Sequence, residues 1–307
     1  MRIAEKLRFL IGPIELLHEQ AGPRLLRYTR MGVFALWIFK LLLDPLWRLA
    51  ELPRELFRPV GILALLPAGR VDGLFRAETL TLLLVGTLVM LVLALANRAF
   101  PITSLVSAIL LTIYSCLIRG FGPSVHTDIV ALLAVYALCA FSWADLLQAK
   151  FSRTKSVPAT WSSYPMITLV ALLCVPYMIV GFSRVIGGGF GVFVGHSMEN
   201  WCLDASLRGY YFNTNIGWHV PEWPLIGWML RLGLPVITVF EITAPLCLAS
   251  SHFRWLFIPT MLSFHLLSLV FMNIFFFDDM LFYLLLVDWS RRFPSLSSRG
   301  GEEASSS

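Results

Sequence analysis

The feature that most constrains this chain is a series of apolar runs, each about as long as a membrane is thick. A helix needs about 20 mostly apolar residues to cross the hydrocarbon core. Inside lipid, every backbone N–H and C=O group must be paired within its own segment, so such runs fold as helices. Eight runs qualify: 31–49, 78–97, 101–118, 127–145, 165–183, 225–249, 255–273 and 276–289. The sequence therefore predicts an all-α, polytopic bundle of about eight transmembrane helices, within a range of seven to nine.

The last two runs are separated by a predicted break near Asn273. Residues 255–277 contain no Asp, Glu, Lys or Arg, and Asp278 and Asp279 follow directly. Acidic side chains favour the first turn of a helix, where the helix dipole is positive. A new helix is therefore expected to begin beside these two aspartates.

The distribution of charge supports the same class and predicts an orientation. Charged residues make up 14% of the chain and hydrophobic residues 57%, against about 25% and 45–50% in soluble domains. The basic residues cluster in the first 30 residues, in the 150–160 loop and in the tail, which eight spans place on one side. By the positive-inside rule that side is cytoplasmic, and the expected location is the cell membrane. Basic residues placed in this way do not form a groove for nucleic acid, so no nucleic-acid partner is expected.

Three regions are predicted along the chain. Residues 1–30 are expected to form an amphipathic arm on the cytoplasmic membrane surface, because their apolar residues recur at helical spacing. Residues 31–290 form the transmembrane bundle, and 291–307 read as a disordered, low-complexity tail.

Three charged residues lie in the first run. Lys40, Asp44 and Arg48 are spaced by four and would share one face of a continuous helix. Ionisable groups at membrane depth are costly unless they are paired or functional. The favoured interpretation is a structural ladder of ion pairs, with a direct role in chemistry as the alternative.

A polar cluster begins the fourth run, in the sequence FGPSVHTDIV. His126 and Asp128 are candidate site residues there, with Ser124 and Thr127 as alternative helix caps. A capping role and a site role are both consistent with this pattern.

Glu241 and His265 lie deep within later runs. A carboxylate at the depth of Glu241 must be protonated or paired with a cation. His265 stands on an otherwise apolar helix, where packing and proton transfer are alternative roles.

Arg184 precedes a glycine-rich segment, GGGFGVFVGHSMENW at 187–201. The segment lacks the pattern of a phosphate-binding loop. Glycines allow close backbone approach at membrane depth, where irregular chain must line a cavity or be covered by protein. We therefore expect this segment to form the wall of a site, with His196 turned toward bound substrate. Arg184 either reaches the head groups or points inward as a fixed cation.

Motifs of familiar catalytic and metal sites are absent from the sequence. It contains no HExxH, no GxSxG and no His or Cys cluster with the spacing of metal ligands. No metal is expected, and no cofactor is identified from the residues.

Several motifs occur in an order that resembles the HTTM membrane domain family, which includes vitamin K-dependent gamma-carboxylase. They are RMGVFALWIFKLLLDPLWRLAELPRELFRPVGILALLP near the start, VHTDIVALLAVYAL, VPYMIVGFSRVIGGGFGVFVGHSM and FHLLSLVFMNIFFFDDMLFYLLL. The resemblance covers roughly residues 25–290. It implies the transmembrane scaffold and an outward-opening cavity, and it places His126 and His265 on the histidines of the family.

One position departs from the family. Arg184 stands where the resemblance places the lysine that deprotonates vitamin K hydroquinone. Arginine does not readily lose its proton, so it makes a poor base. A true gamma-glutamyl carboxylase is therefore not expected.

Two functions follow from these patterns. The first is a membrane enzyme acting on a quinol-like or isoprenoid-like molecule or on a lipid head group, with His126, His265 and Arg184 as catalytic residues. His196, Glu241 and Asp128 would bind the substrate, and membrane lipid and a lipid-soluble quinone-like ligand are the expected partners. The alternative is a non-enzymatic membrane partner, an assembly or immunity factor, or a transporter. The sequence predicts no oligomeric state.

Overall fold

The computed structural model describes residues 23–43, 46–121, 128–151, 164–189, 191–208, 216–274 and 276–285. Within these ranges the regular secondary structure is helical and no strand is present. Helices of nine residues or more are numbered here in chain order. They are α1 (Pro23–Leu43), α2 (Ala77–Leu95), α3 (Phe100–Arg119), α4 (Ile129–Phe151), α5 (Tyr164–Gly188), α6 (Ser197–Arg208), α7 (Pro224–Thr243), α8 (Ser251–Met272) and α9 (Phe277–Leu285).

Six of the predicted spans are confirmed as helices that are long and apolar enough to cross a membrane. They run over Ala77–Leu95, Phe100–Arg119, Ile129–Leu147, Pro165–Gly188, Pro224–Thr243 and His252–Met272. Their outward residues are also apolar, with Leu82, Leu225 and Leu232 exposed by 64% or more. Apolar side chains exposed over whole helices need lipid around them. The chain is an integral membrane protein with a helical fold.

The ends of these helices follow from local sequence. Asn97 and Ala99 adopt positive φ in the turn between α2 and α3, and Pro101 follows in the first turn of α3. Ser250 caps α8 by accepting a hydrogen bond from the Phe253 N–H. Asn273 ends α8 in the left-handed conformation, which Asn tolerates better than most residues. The predicted break near Asn273 is confirmed, and Asp278 and Asp279 lie in the first turn of α9.

The first run differs from its predicted form. Helix α1 ends at Leu43, and a 3-10 helix covers Leu46–Glu51. Proline at 45 explains this change, because it disfavours helical backbone in the residue before it and cannot donate a helical hydrogen bond. The prediction of one α-helix over 31–49 is therefore wrong at its C-terminal end. The helix also begins at Pro23, eight residues before the predicted start of this run.

The chain divides into two compact units, one containing Ala21–Pro165 and the other formed by Met166–Tyr283. In the first unit, α2 packs against α1 and α3, and α4 packs against α1 and α3. Buried aromatic rings fill the centre, where Trp37 packs edge-on against Tyr114. The Trp37 indole N–H donates to the Ala131 carbonyl at 3.2 Å, which pairs its one polar atom.

In the second unit, α6 packs against α7, α8 and a 3-10 helix over Ile216–Glu222. Gly217 lies at this junction: a Cβ added there would be 1.9 Å from the Phe271 carbonyl oxygen and 2.6 Å from that of Cys202. Only glycine allows the three segments to approach so closely. The five cysteines of the chain are buried, and none of them forms a disulfide.

The remaining domain predictions are not tested by this fold. Residues 1–22 of the arm and the tail at 291–307 lie outside the described residues. The bundle over 31–290 and the placement of both termini in the cytoplasm stay predictions.

Candidate functional site

The polar residues of the second unit are positioned by one face of α5. Tyr177, Gly181 and Arg184 lie at positions i, i+4 and i+7 of this helix, so they point in nearly the same direction. A Cβ added at Gly181 would be 2.9 Å from the Ile242 backbone nitrogen. Helix α7 therefore approaches the backbone of α5 closely at Gly181, which lies between Tyr177 and Arg184 along α5.

Arg184 and Glu241 form an ion pair beside this crossing. Arg184 Nη1 contacts Glu241 Oε2, and it also donates to Thr238 Oγ1 at 3.1 Å. The Glu241 side chain is 2% exposed and that of Arg184 is 14% exposed. Glu241, which was expected to be either protonated or paired with a cation, is paired with Arg184, and Arg184 takes the inward one of its two possible orientations. Because the carboxylate neutralises the guanidinium, Arg184 is not a free cation for an anionic substrate.

His265 of α8 is surrounded by aromatic rings. Its ring packs 4.5 Å from that of Phe276 and stacks on Tyr283 at an interplanar angle of 18°. The Tyr177 hydroxyl lies 2.7 Å from His265 Nε2, and the Tyr283 hydroxyl donates to that of Tyr177. A chain of hydrogen bonds therefore runs from Tyr283 through Tyr177 to the imidazole.

We assign the role of each ring nitrogen of His265 from the direction of these hydrogen bonds, because the protons themselves are placed by the hydrogen-bond network. Since Tyr177 accepts from Tyr283, its own proton is directed to Nε2 of His265, which then acts as an acceptor. A neutral imidazole has one N–H, so that proton is on Nδ1. Nδ1 is buried and has no hydrogen-bond partner within the part of the chain that the structure describes. One polar atom of this relay is left without a partner.

A second polar cluster involves the glycine-rich segment. Gly187 and Gly188 complete α5, Gly189 has a φ of +59°, and a short helix follows over Gly191–Val194. Helix α6 then begins at Ser197, with Glu199 in its first turn. The segment is therefore mostly helical.

Arg231 of α7 contacts both Glu199 and His196 in this second cluster. Its Nε donates to Glu199 Oε1 at 2.5 Å, and its Nη2 lies 3.0 Å from His196 Nδ1. Glu199 is 5% exposed at its side chain, whereas His196 is 71% exposed. Burial, followed by the charge of Glu199, raises the pKa of the nearby Cys202 thiol to about 12. The buried carboxylate thus orients Arg231, while burial, with a smaller contribution from the charge of Glu199, keeps Cys202 protonated.

An apolar groove of about 560 Å³ runs along α7 between these clusters. Its lining consists of Val185, Phe193, Val194, Trp228, Arg231, Leu232, Pro235, Thr238, Val239 and Ile242. We call this cavity the α7 groove. Phe193 and Val194 belong to the glycine-rich segment, so part of that segment lines a cavity. Arg231 and Thr238 bring charged and hydroxyl groups to an otherwise apolar surface.

Asp128 lies in the first unit and has partners of its own there. Its carboxylate contacts Arg119 at the end of α3 and the Ser115 hydroxyl. These contacts favour a structural role for Asp128, tying α3 to the start of α4. His126, with Ser124 and Thr127, lies outside the described residues.

Among the described residues, the ion-pair ladder predicted for the first run does not form one face of an α-helix. Lys40 is on α1, with its Nζ 5.8 Å from the centre of the Trp37 ring. Arg48 is exposed on the following 3-10 helix. Asp44 lies outside the described residues. Because the α-helix ends before Pro45, the spacing of four no longer keeps Lys40 and Arg48 on one α-helical face.

Of the predicted site residues, the structure brings Arg184 and Glu241 together. It places His265 of α8 against Tyr177, which lies on the same helix, α5, as Arg184. His196 belongs to the neighbouring cluster. Sequence reasoning missed Tyr177, Tyr283 and Arg231. Arg231 had a usable signal, since it is an ionisable residue within an apolar run, WMLRLGLP.

No family model, no curated protein and no solved structure matches the chain. The resemblance to the HTTM family therefore stays a prediction from the sequence motifs.

Proposed function

We propose that this chain is an HTTM-like membrane enzyme of about eight spans that acts on a lipid-soluble, quinol-like or isoprenoid-like molecule or on a lipid head group. In this proposal α1 and α9 complete the six apolar helices, and both termini lie on the cytoplasmic side of the cell membrane. Helix α1 has 21 residues, which gives a length of about 31 Å and is sufficient for one crossing.

The observation that carries the proposal is Nδ1 of His265, which is buried and has no hydrogen-bond partner among the described residues. A buried polar atom left without a partner costs about 1–3 kcal/mol, and such atoms call for an explanation. A substrate oxygen accepting from Nδ1 would remove this cost. Tyr177 and Tyr283 would then stabilise the imidazole from the other side as a proton is exchanged with the substrate.

Arg184 has a positioning role in this proposal rather than that of a base. Its charge is balanced by Glu241, and it holds the α5 face that carries Tyr177. His126 stays a candidate catalytic residue through the family resemblance, and Asp128 stays a candidate substrate-binding residue from the sequence pattern, although Asp128 has internal partners. A gamma-glutamyl carboxylase activity is not proposed, because Arg184 occupies the lysine position.

The test is to identify the small molecules that co-purify with the full chain in mild detergent. We expect mass spectrometry to find a lipid-soluble molecule with the wild type that is lost in His265→Phe, while Phe264→Leu, a change in the adjacent ring, retains it. Size-exclusion profiles and melting temperatures establish that both variants are folded. Equal amounts of the same molecule in wild type and His265→Phe would rule out binding at Nδ1.

One observation favours the alternative, a non-enzymatic membrane partner, assembly or immunity factor, or transporter. Arg184 and Glu241 satisfy each other, as expected for charges that serve packing. A wild-type protein that purifies without any lipid-soluble molecule beyond bulk lipid would support this second function.

A further inference from the structure

We propose that residues 46–66 lie in the head-group region of one membrane surface, where phospholipid of the bilayer covers their exposed apolar side chains. We call this stretch the 46–66 segment. The inference goes beyond the proposed enzyme function and does not depend on it. It requires only that α2 and α3 cross the membrane, and no residue of the His265 relay or of the α7 groove takes part.

The backbone of the 46–66 segment excludes it from the hydrocarbon core. Short 3-10 helices cover Leu46–Glu51, Arg54–Leu56 and Gly61–Leu65, with non-helical chain between them. Prolines within the segment prevent one continuous helix. Irregular chain that faces lipid does not occur in the hydrocarbon region, because its N–H and C=O groups would have no partners there. Water can pair these groups at head-group level or beyond it.

Packing places the segment against two of the spans. The 3-10 helix over Leu46–Glu51 packs against α2, and the one over Gly61–Leu65 packs against α3. A short turn joins α2 to α3 and the two helices pack together, so the start of α2 and the end of α3 lie on one side. Helix α3 has 20 residues, which gives about 30 Å, the thickness of the hydrocarbon core. Its ends are therefore expected at the membrane surfaces.

Two contacts set the depth of the segment relative to α3. A Cβ added at Gly61 would be 2.8 Å from Cys116 Sγ, and the Arg58 N–H donates to the Gly120 carbonyl at 2.8 Å. Cys116 lies three residues before the end of α3 at Arg119, or about 4.5 Å along the helix axis. The segment therefore lies between the end of the span and about one turn inside it. Interfacial segments bury their apolar faces to about 5–10 Å, which agrees with this depth.

The outward surface of the segment is apolar. Leu46 and Leu63 are buried and attach it to the protein. Six large apolar side chains are instead exposed by 40% or more: Trp47, Leu52, Leu56, Ile62, Leu65 and Leu66. Exposed apolar surface of this extent marks a contact with membrane or protein. Helix α2 beside it is a span with Leu82 exposed by 73%, so the segment adjoins a surface that lipid already covers.

Charged side chains distinguish lipid from a protein partner. Between the apolar residues, the exposed charged residues are Arg48, Glu51, Glu55 and Arg58. A protein docked over the segment would bury these charges together with the leucines, at a cost in desolvation. In the head-group region the apolar side chains reach the acyl chains, while the charged ones extend to water and phosphate. Lipid therefore suits the whole segment.

The experiment measures the depth of nitroxide labels by electron paramagnetic resonance, with the full chain in vesicles of palmitoyloleoylphosphatidylcholine. Collision with oxygen, which concentrates in lipid, is compared with collision with a nickel complex, which stays in water. We expect labels on Leu56→Cys and Leu65→Cys to lie about 5–10 Å below the head-group boundary. The label on Glu55→Cys, the matched neighbour of Leu56, should lie on the aqueous side.

Two controls calibrate the measurement. Val89→Cys is exposed near the middle of α2 and should give the deepest label. The wild type, whose five cysteines are buried, gives the background labelling.

The proposal is overturned if the labels on Leu56→Cys and Leu65→Cys collide mainly with the nickel complex, which would place the segment in water. It is also overturned if neither reagent reaches them, which would mean that residues 1–22 or another protein covers the segment. Should one of these variants fail to fold, Ile62→Cys takes its place. Since His265 is intact in every variant, failure here is distinguishable from failure of the proposed enzyme function.

Discussion

Removing Arg184 should destabilise the protein in a way that replacing the whole ion pair does not. In Arg184→Leu, Glu241 remains at 2% exposure without its cation. Breaking a buried pair by removing one partner costs about 3–5 kcal/mol. The carboxyl can instead take up a proton, which costs about 3.7 kcal/mol at pH 7 for a group of ordinary acidity near 4.3. We therefore expect a loss of about 3–4 kcal/mol.

The double variant Arg184→Leu, Glu241→Leu should recover most of that loss. Two apolar side chains in place of a buried pair are often neutral or stabilising. We expect the double variant to lie within about 1 kcal/mol of the wild type, which gives a coupling energy of about 3 kcal/mol in a double-mutant cycle. Arg98→Leu, in an exposed turn, should change stability by about 0.5 kcal/mol or less.

Unfolding in a mixed-micelle titration, followed by circular dichroism at pH 7 and pH 6, measures these differences. The penalty of Arg184→Leu should fall by about 1.4 kcal/mol between the two pH values, because protonation of a carboxyl becomes that much cheaper per pH unit. An Arg184→Leu protein as stable as the wild type, or a double variant no better than the worse single one, would refute the assignment of a buried, mutually neutralising pair.

Three other outcomes are expected. Gly217→Ala should cost at least about 2 kcal/mol in thermal or denaturant unfolding, since its Cβ would be 1.9 Å from the Phe271 carbonyl oxygen and the backbone must move; unchanged stability would contradict this packing. Cys202, whose pKa is raised to about 12, should label with maleimide at least about a thousandfold more slowly in the folded than in the unfolded protein, and a rate that levels off near pH 9 would contradict the raised pKa. Asp128→Asn should lower stability by about 2–4 kcal/mol by leaving Arg119 without its carboxylate, and Asp128→Ala should behave alike if the role is structural.

Six of the transmembrane helices were predictable because a single physical quantity, the length of an apolar run, decides them. Some predicted and observed ends agree within a few residues, as for 101–118 against Phe100–Arg119. Others differ by five to eight residues, and two of these differences have a local reason. Pro45 follows the end of α1, and Gly187 and Gly188 extend α5 although glycine has a low helix propensity. Helix contacts with the rest of the unit can override that propensity, and a single sequence does not contain them.

The site was only partly predictable. The cost of charge in lipid identified Arg184, Glu241 and His265 as residues needing a partner. The partners themselves are 57 positions apart for Arg184 and Glu241, and 88 positions apart for Tyr177 and His265. Which helix faces meet over such separations depends on packing, which no local pattern encodes. Tyr177 and Tyr283 were missed for a further reason, since an aromatic residue in an apolar run usually signals packing alone.

Thr238 belongs both to the lining of the α7 groove and to the hydrogen bonds of the buried ion pair. Its side chain lines the α7 groove, and its hydroxyl accepts a hydrogen bond from Arg184. A molecule bound in the groove would therefore touch the threonine that also holds Arg184 beside Glu241. By thermodynamic reciprocity, any factor by which such a molecule strengthens the ion pair equals the factor by which the intact pair strengthens binding in the groove.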